Sequence, residues 1–212
     1  LDVSAGIDIF SNATAGWQDN VAAALEKLRR NDGGYAKGEE GQASSTYHTF
    51  LVLLCLELID RPIQEPERIV AFIQSQRAEE GGFREFKASK RAGTKPTAAA
   101  IGALRILDAL DSESRESTLD LLVEMQTDEG GLRANTRIPI ADLLSTFTGL
   151  LTLMDLDGVD EIEVDHLPRF VRSLEGDEGG FHGAAWDPAC DVEYSFYGLG
   201  CLALLANLKN TL

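Results

Sequence analysis

Five cations, Arg84, Lys87, Lys90, Arg91 and Lys95, share one short stretch with a single interspersed acid, Glu85, in a chain whose formal charge is −16. Arg133 and Arg137 form a smaller group farther on. Guanidinium and ammonium groups gathered against a negative background attract anions, and a diphosphate is the ligand class they would suit. The other reading of the same residues is a solvated loop. The acids crowd elsewhere: Asp155, Asp157, Asp160, Glu161, Glu163 and Asp165 fall in one run. Asp155-Leu156-Asp157-Gly158 hints at calcium but lacks the twelve-residue spacing with a closing bidentate glutamate. A solvated turn is expected there.

The elements that must position these residues repeat. Acid-Gly-Gly-apolar occurs as Asp32-Gly33-Gly34-Tyr35, Glu80-Gly81-Gly82-Phe83, Glu129-Gly130-Gly131-Leu132 and Glu178-Gly179-Gly180-Phe181, the first glycines lying 48, 49 and 49 residues apart. A fixed period of this size marks stacked supersecondary units. Each unit reads as helix, glycine loop, helix. The first helices, near 17–30, 66–77, 115–126 and 166–174, are amphipathic; in the third, Leu119, Leu122, Val123 and Met125 form one stripe. Pro66 suits a first helical turn, and Ser112 or Ser114 is placed to cap the third unit's opening helix.

The second helices, near 45–59, 96–110, 142–155 and 191–207, are apolar around most of their circumference, so they should form an inner layer. Small residues such as Gly149, Gly198, Gly102 and Gly200 would let inner helices approach closely. The glycine pair reads as punctuation, since the chain must reverse where only glycine tolerates the backbone cheaply. The basic stretch therefore sits at the start of an inner helix, where partial positive charge accumulates. No strand-like alternation is visible, so an all-α domain spanning residues 1–212 is expected.

Composition narrows the function. With 35 acids against 19 Lys and Arg, the chain has no cationic excess to replace phosphate counterions, which argues against a nucleic-acid surface. No apolar run approaches the roughly 18–20 residues that cross a bilayer, and nothing at the start resembles a signal peptide. The chain opens on Leu1 rather than Met, which leaves room for upstream sequence. Three cysteines without a CxxC pair make no disulfide framework. A reducing, cytoplasmic location is expected. Cys55 and Cys201 share a repeat position with Ala103 and Thr152, a small-residue helix contact, so both thiols are expected in the core.

Phe72-Ile73-Gln74-Ser75-Gln76 before Gly81-Gly82-Phe83, and Val123-Glu124-Met125-Gln126 before Gly130-Gly131-Leu132, resemble the repeat shared by protein prenyltransferase β subunits and the squalene and terpene cyclases. The resemblance implies an α-α toroid, with about four hairpins here against the family's usual six. Asp191-Val192-Glu193-Tyr194-Ser195-Phe196 resembles the family's Asp-x-Cys-Tyr-Ser-Phe motif, and Tyr47-His48-Thr49 its Tyr-His-Thr motif. This implies zinc held by His48, Asp191 and Glu193, with Glu193 where the family has cysteine and Cys190 three residues earlier. His48 lies in the first unit and Asp191 in the last, so the set requires those units to meet, within one chain or across a homodimer. Asp191-Val192-Glu193-Tyr194 also resembles the acid motif of class II terpene cyclases, with Asp191 and Glu193 as the catalytic carboxyls.

The resemblance further implies an isoprenoid diphosphate or other lipid-like ligand, held by Tyr194 and the cations Arg84, Lys87, Lys90, Arg91, Lys95, Arg133 and Arg137. A second copy or a partner subunit completing the ring is the implied partner. The loop of the fourth unit, HGAAWDPAC, carries no Arg or Lys. Two functions follow: an enzyme acting on an isoprenoid diphosphate, or a binding and scaffolding module that keeps the toroid without the chemistry.

Overall fold

The computed structural model describes residues 14–211. Among them are eight α-helices: α1 (Trp17–Glu26), α2 (Thr46–Leu58), α3 (Pro66–Gln74), α4 (Thr94–Ile106), α5 (Ser112–Met125), α6 (Leu143–Asp155), α7 (Leu167–Ser173) and α8 (Val192–Thr211). The even-numbered helices form the inner layer, α2 packing on α4, α4 on α6 and α6 on α8. The odd-numbered helices lie outside them. The expected two-layer α-α architecture is present, and among the described residues no helix is long and apolar enough to cross a membrane.

Local chemistry explains the boundaries. Pro66 occupies the first turn of α3, which buries Ile69, Phe72 and Ile73. The cap of α5 is Asp111, not a serine: its Oδ1 accepts from the Ser114 amide at 2.6 Å, so the helix starts earlier than the apolar pattern suggests. Along α5, Leu119, Leu122 and Met125 are buried as expected, whereas Val123 points outward and Leu121 takes its place. The core is one cluster running from the first unit to Leu167 and Leu205 of the fourth, with a second joining the third unit to the fourth.

Each outer helix is followed by a glycine loop closed by an antiparallel bridge, Arg29–Tyr35, Arg77–Phe83, Gln126–Leu132 and Glu175–Phe181, and in the first unit Tyr35 also bridges Ser45. In the fourth unit this grows into a small pair, β1 (Phe181–His182) against β2 (Cys190–Asp191). The absence of strand patterning is thus correct for everything but these short closures. Gly130, at φ +96°, shows why the glycines recur: a Cβ there would stand 2.7 Å from that of His166 in the next unit. A hydroxyl fourteen residues past each loop anchors it. Thr49, Thr97 and Thr146 each accept the loop residue's amide, from Tyr35, Phe83 and Leu132, at 2.9 Å. Ser195 does the same for Phe181 at 3.3 Å.

The cysteine reading holds for Cys201, which is fully buried, and fails for Cys55, which is exposed. Both occupy the register that faces the preceding unit, where Ala103 and Thr152 are buried too. Among the described residues nothing precedes the first unit, so Cys55, Leu54 and Leu58 are bare on its back.

Candidate functional site

The concave face of the inner layer encloses a cavity of about 650 Å³ that draws on α2, α4, α6 and α8. This volume lies in the range of small-molecule sites. Its wall is aromatic: Phe147 stands 5.6 Å from Phe196 and 5.3 Å from Tyr197 between ring centroids. Phe50 and Tyr47 complete the opposite side. Only Tyr47 and Phe196 of these belong to motifs picked out above as chemical, and the common signal of the phenylalanines is register. Phe50, Ala98, Phe147 and Phe196 fall at one repeat position and all line the cavity. Five of the chain's 15 Phe, Tyr and Trp residues thus meet on one surface.

A second cleft, about 850 Å³, opens at the starts of α4 and α6 and is lined by Lys90, Arg91, Lys95 and Arg137 together with Glu80, Glu85 and Asp142. Four of the seven expected cations thus converge. Lys95 lines both spaces. Its Nζ lies 4.1 Å above the Tyr47 ring, within the range of a cation–π contact. Arg91 donates to Thr136 Oγ1 at 3.0 Å, tying the second unit's loop to the third's. Of the acids, Glu80 Oε1 accepts the Ala92 amide at 3.0 Å and Asp142 receives Ser145 N and Oγ, both at 2.7 Å. Burial raises the Asp142 carboxyl, with the Ser145 hydrogen bonds pulling the other way.

The remaining expected contacts lie elsewhere. Arg84 bends back to the end of α3 and donates to the Arg77 carbonyl at 2.9 Å. Arg133, at the same register, donates to the Glu124 carbonyl at 3.1 Å. Both guanidiniums cap outer-helix termini. Lys87 is exposed and lines neither space. Tyr194 packs over Gly183 among acids; burial first, then the charges of Asp187, Asp191, Asp142 and Glu193, raise its phenol. That environment repels an anionic head.

His48 sits at the start of α2 with Nδ1 2.9 Å from Ser45 Oγ, and the Ser45 hydroxyl donates to Glu85 Oε1 in a short contact. A serine has one hydrogen to give, so Nδ1 carries the proton and Nε2 keeps its lone pair. Burial lowers the histidine below its ordinary range, Glu85 opposing and Lys37 and Lys95 reinforcing the shift. Asp191 Oδ1 accepts the Tyr194 amide at 2.7 Å and Glu193 Oε1 accepts from the Tyr197 hydroxyl at 2.8 Å. Tyr47 of the first unit and Tyr197 of the last line one cavity, and after burial the Glu193 charge is the next cause raising the Tyr47 phenol. Yet among the described residues no three His, Cys, Asp or Glu side chains are grouped to hold a metal ion. His48, Asp191 and Glu193 therefore do not fit zinc as a set in this arrangement. Cys190 stands beside His182 instead, its Sγ 3.5 Å from both ring nitrogens. The acidic run at 155–165 forms two short 3-10 turns, and it too holds no metal grouping.

The comparisons with known proteins agree with the two-layer helical fold. Among solved structures, Candida albicans protein geranylgeranyltransferase-I complexed with GGPP matches with a TM-score of 0.67 at 16% identity, over 87% of this chain and 59% of that one. The chain thus spans 59% of the length of that neighbour, and the likeness is one of fold. No curated protein matches in sequence. A family model, the prenyltransferase alpha-alpha toroid domain, matches residues 61–212. With most of its length inside that match, the chain belongs to the prenyltransferase α-α toroid family.

Proposed function

We propose that the concave face binds an amphiphile of the isoprenoid diphosphate class, its chain against Phe50, Phe147 and Phe196 and its head at Lys95, Lys90, Arg91 and Arg137. The observation that carries this reading is the position of Lys95, which lines the apolar cavity and the basic cleft at once. An apolar chain and a diphosphate bound to adjoining surfaces of opposite character are recognised together, and neither half alone supplies the affinity. The bound GGPP of the similar transferase supports the ligand class. Asp191 and Glu193 keep their oxygens on the Tyr194 amide and the Tyr197 hydroxyl, and this reading assigns them no chemical step and zinc no role.

Calorimetric titration with GGPP, inorganic pyrophosphate and the corresponding prenyl alcohol tests it. GGPP should bind at least about 100-fold more tightly than either fragment, and Lys95→Ala should weaken it by about tenfold, or about 1.4 kcal/mol. Equal affinity for pyrophosphate and GGPP, or no effect of Lys95→Ala, would overturn the reading. A second reading, a scaffolding module, is favoured by one separate observation, the exposure of Val192 (88%) and Leu199 (62%) on α8.

A further inference from the structure

Every unit turns once more between its glycine loop and its inner helix, always at one register. The amide of the fourth residue donates to the carbonyl of the first in Gly38–Gly41 at 2.9 Å, Phe86–Ser89 at 2.9 Å, Asn135–Ile138 at 3.1 Å and Ala184–Asp187 at 3.0 Å. The carbonyl just before the second, third and fourth turns, on Glu85, Ala134 and Gly183, accepts the first amide of the preceding inner helix, from Thr46, Thr94 and Leu143 at 3.0, 3.0 and 2.8 Å. The turns therefore line up along one end of the toroid, the end at which the inner helices start.

Apolar side chains stand on them. Trp186 is 71% exposed, Phe86 40%, Ile138 39% and Ile140, just past the third turn, 38%. Exposed apolar residues scattered singly are ordinary. These four share one end, at three of the four turns, and none of them lines the cavity or the basic cleft. Cations alternate with them: Lys87 follows Phe86 in the second turn and Arg137 precedes Ile138 in the third. The first turn has Glu39 and Glu40 at its tip, so it bounds the surface.

Charge is divided along the same axis. The loops of the second and third turns hold Lys87, Lys90, Arg91 and Arg137. The connections at the far end, where the inner helices stop, hold Asp60, Asp108 and the acidic run from Asp157 to Asp165. A negative surface attracts the first end and repels the second, which orients the molecule despite its net negative charge.

We infer that this end docks on a bilayer bearing anionic phospholipid headgroups, with Trp186, Phe86, Ile138 and Ile140 entering the headgroup layer and Lys87 meeting the lipid phosphates. Tryptophan is favoured at a membrane–water boundary, where its ring is apolar and its N–H stays wet. A protein partner fits the pattern less well, since protein interfaces pack a contiguous apolar centre, whereas these side chains stand on separate turns between cations. The surface does not depend on the ligand reading, because Lys87 and the four apolar residues lie outside both the cavity and the cleft.

Co-sedimentation of the full chain with phosphatidylcholine vesicles, with and without about 30 mol% phosphatidylserine and with no isoprenoid present, tests it. The chain should partition onto the serine-containing vesicles at least about tenfold more strongly than onto phosphatidylcholine alone, and the difference should shrink as salt is added. Lys87→Glu should lower the partitioning by about tenfold, and Arg61→Glu, the same change of charge at the far end, by less than about twofold. Trp17→Phe leaves Trp186 as the one tryptophan of the sequence, and its emission should move to the blue when the serine-containing vesicles are added. No binding to either vesicle, equal losses in the two charge variants, or a Trp186 emission that does not move would overturn the inference. So would retention by polyglutamate without vesicle binding, which would name an acidic protein as the partner.

Discussion

The second and fourth units have the same pattern and opposite surroundings. Both hold a glycine pair, an apolar inner helix and a hydroxyl that accepts the loop amide, Thr97 at 2.9 Å from Phe83 N and Ser195 at 3.3 Å from Phe181 N. The second unit is roofed by the third, and its loop turns Lys90, Arg91 and Lys95 into a cleft. The fourth has no roof among the described residues, and its helix start carries Asp191 and Glu193 beside Tyr194. Repetition therefore accounts for the fold, while charge and burial are decided by the loop sequence and by whether another unit follows. The proposed anion site accordingly lies at the start of α4 and not at the Asp-x-Glu-Tyr start of α8.

Paired substitutions at one register can break or sharpen this contrast. The largest difference is expected between Gly130→Ala and Gly179→Ala. Both glycines hold the left-handed backbone, at φ +96° and +94°, but only the first faces a neighbour, His166. Urea unfolding should show a loss of about 3 kcal/mol or more for Gly130→Ala, strain plus overpacking, against about 1 kcal/mol for Gly179→Ala. Similar losses would mean that the roof over the third loop does not press on it. Next, Thr97→Val leaves the Phe83 amide buried without its acceptor and should cost about 2 kcal/mol, whereas Ser195→Ala, in a looser and less buried bond, should cost under about 1 kcal/mol.

A smaller effect, on binding, separates the two helix starts. Glu193→Gln should leave isoprenoid diphosphate affinity within about twofold, while Glu85→Gln, which removes an acid from the cleft, should strengthen it by about 2- to 5-fold at low salt. A large loss in Glu193→Gln would return the site to α8. The smallest is a pH effect at Cys201. Burial pushes this thiol from 9.0 up to about 12. The folded state keeps the proton that the unfolded state releases, so the contribution is complete below pH 9.0 and is lost as the pH rises toward about 12. Cys201→Ala should flatten that alkaline decline by about 1 kcal/mol at about pH 10, measured as unfolding free energy.

The period and the glycine pair make the two-layer fold legible in the sequence, because stacked units repeat their chemistry at fixed intervals. Helix positions follow from apolar periodicity, but Asp111 rather than a serine caps α5, a choice among adjacent capping residues that composition does not make. Cys55 misleads for a different reason: its register is buried only where a unit precedes it, and the sequence of one unit does not say what stands behind it. The basic cleft is half legible. Clustering marks all seven cations, yet the direction of each side chain separates Lys90, Arg91, Lys95 and Arg137, which converge, from Arg84 and Arg133, which satisfy helix-end carbonyls. Of Phe50, Phe147 and Phe196 only the last falls in a motif legible in the sequence; the wall as a whole escapes local motifs because its members lie roughly a full repeat apart or more and meet only when the inner helices are set side by side.

The most direct test of the central claim is a crystal structure of the chain with a bound isoprenoid diphosphate. The account places the diphosphate within hydrogen-bond reach of Lys95 and at least one of Lys90, Arg91 and Arg137, with the chain packed against Phe147 inside the cavity. A head group bound instead at Asp191, Glu193 and Tyr194, or a chain lying outside the inner helices, would contradict it.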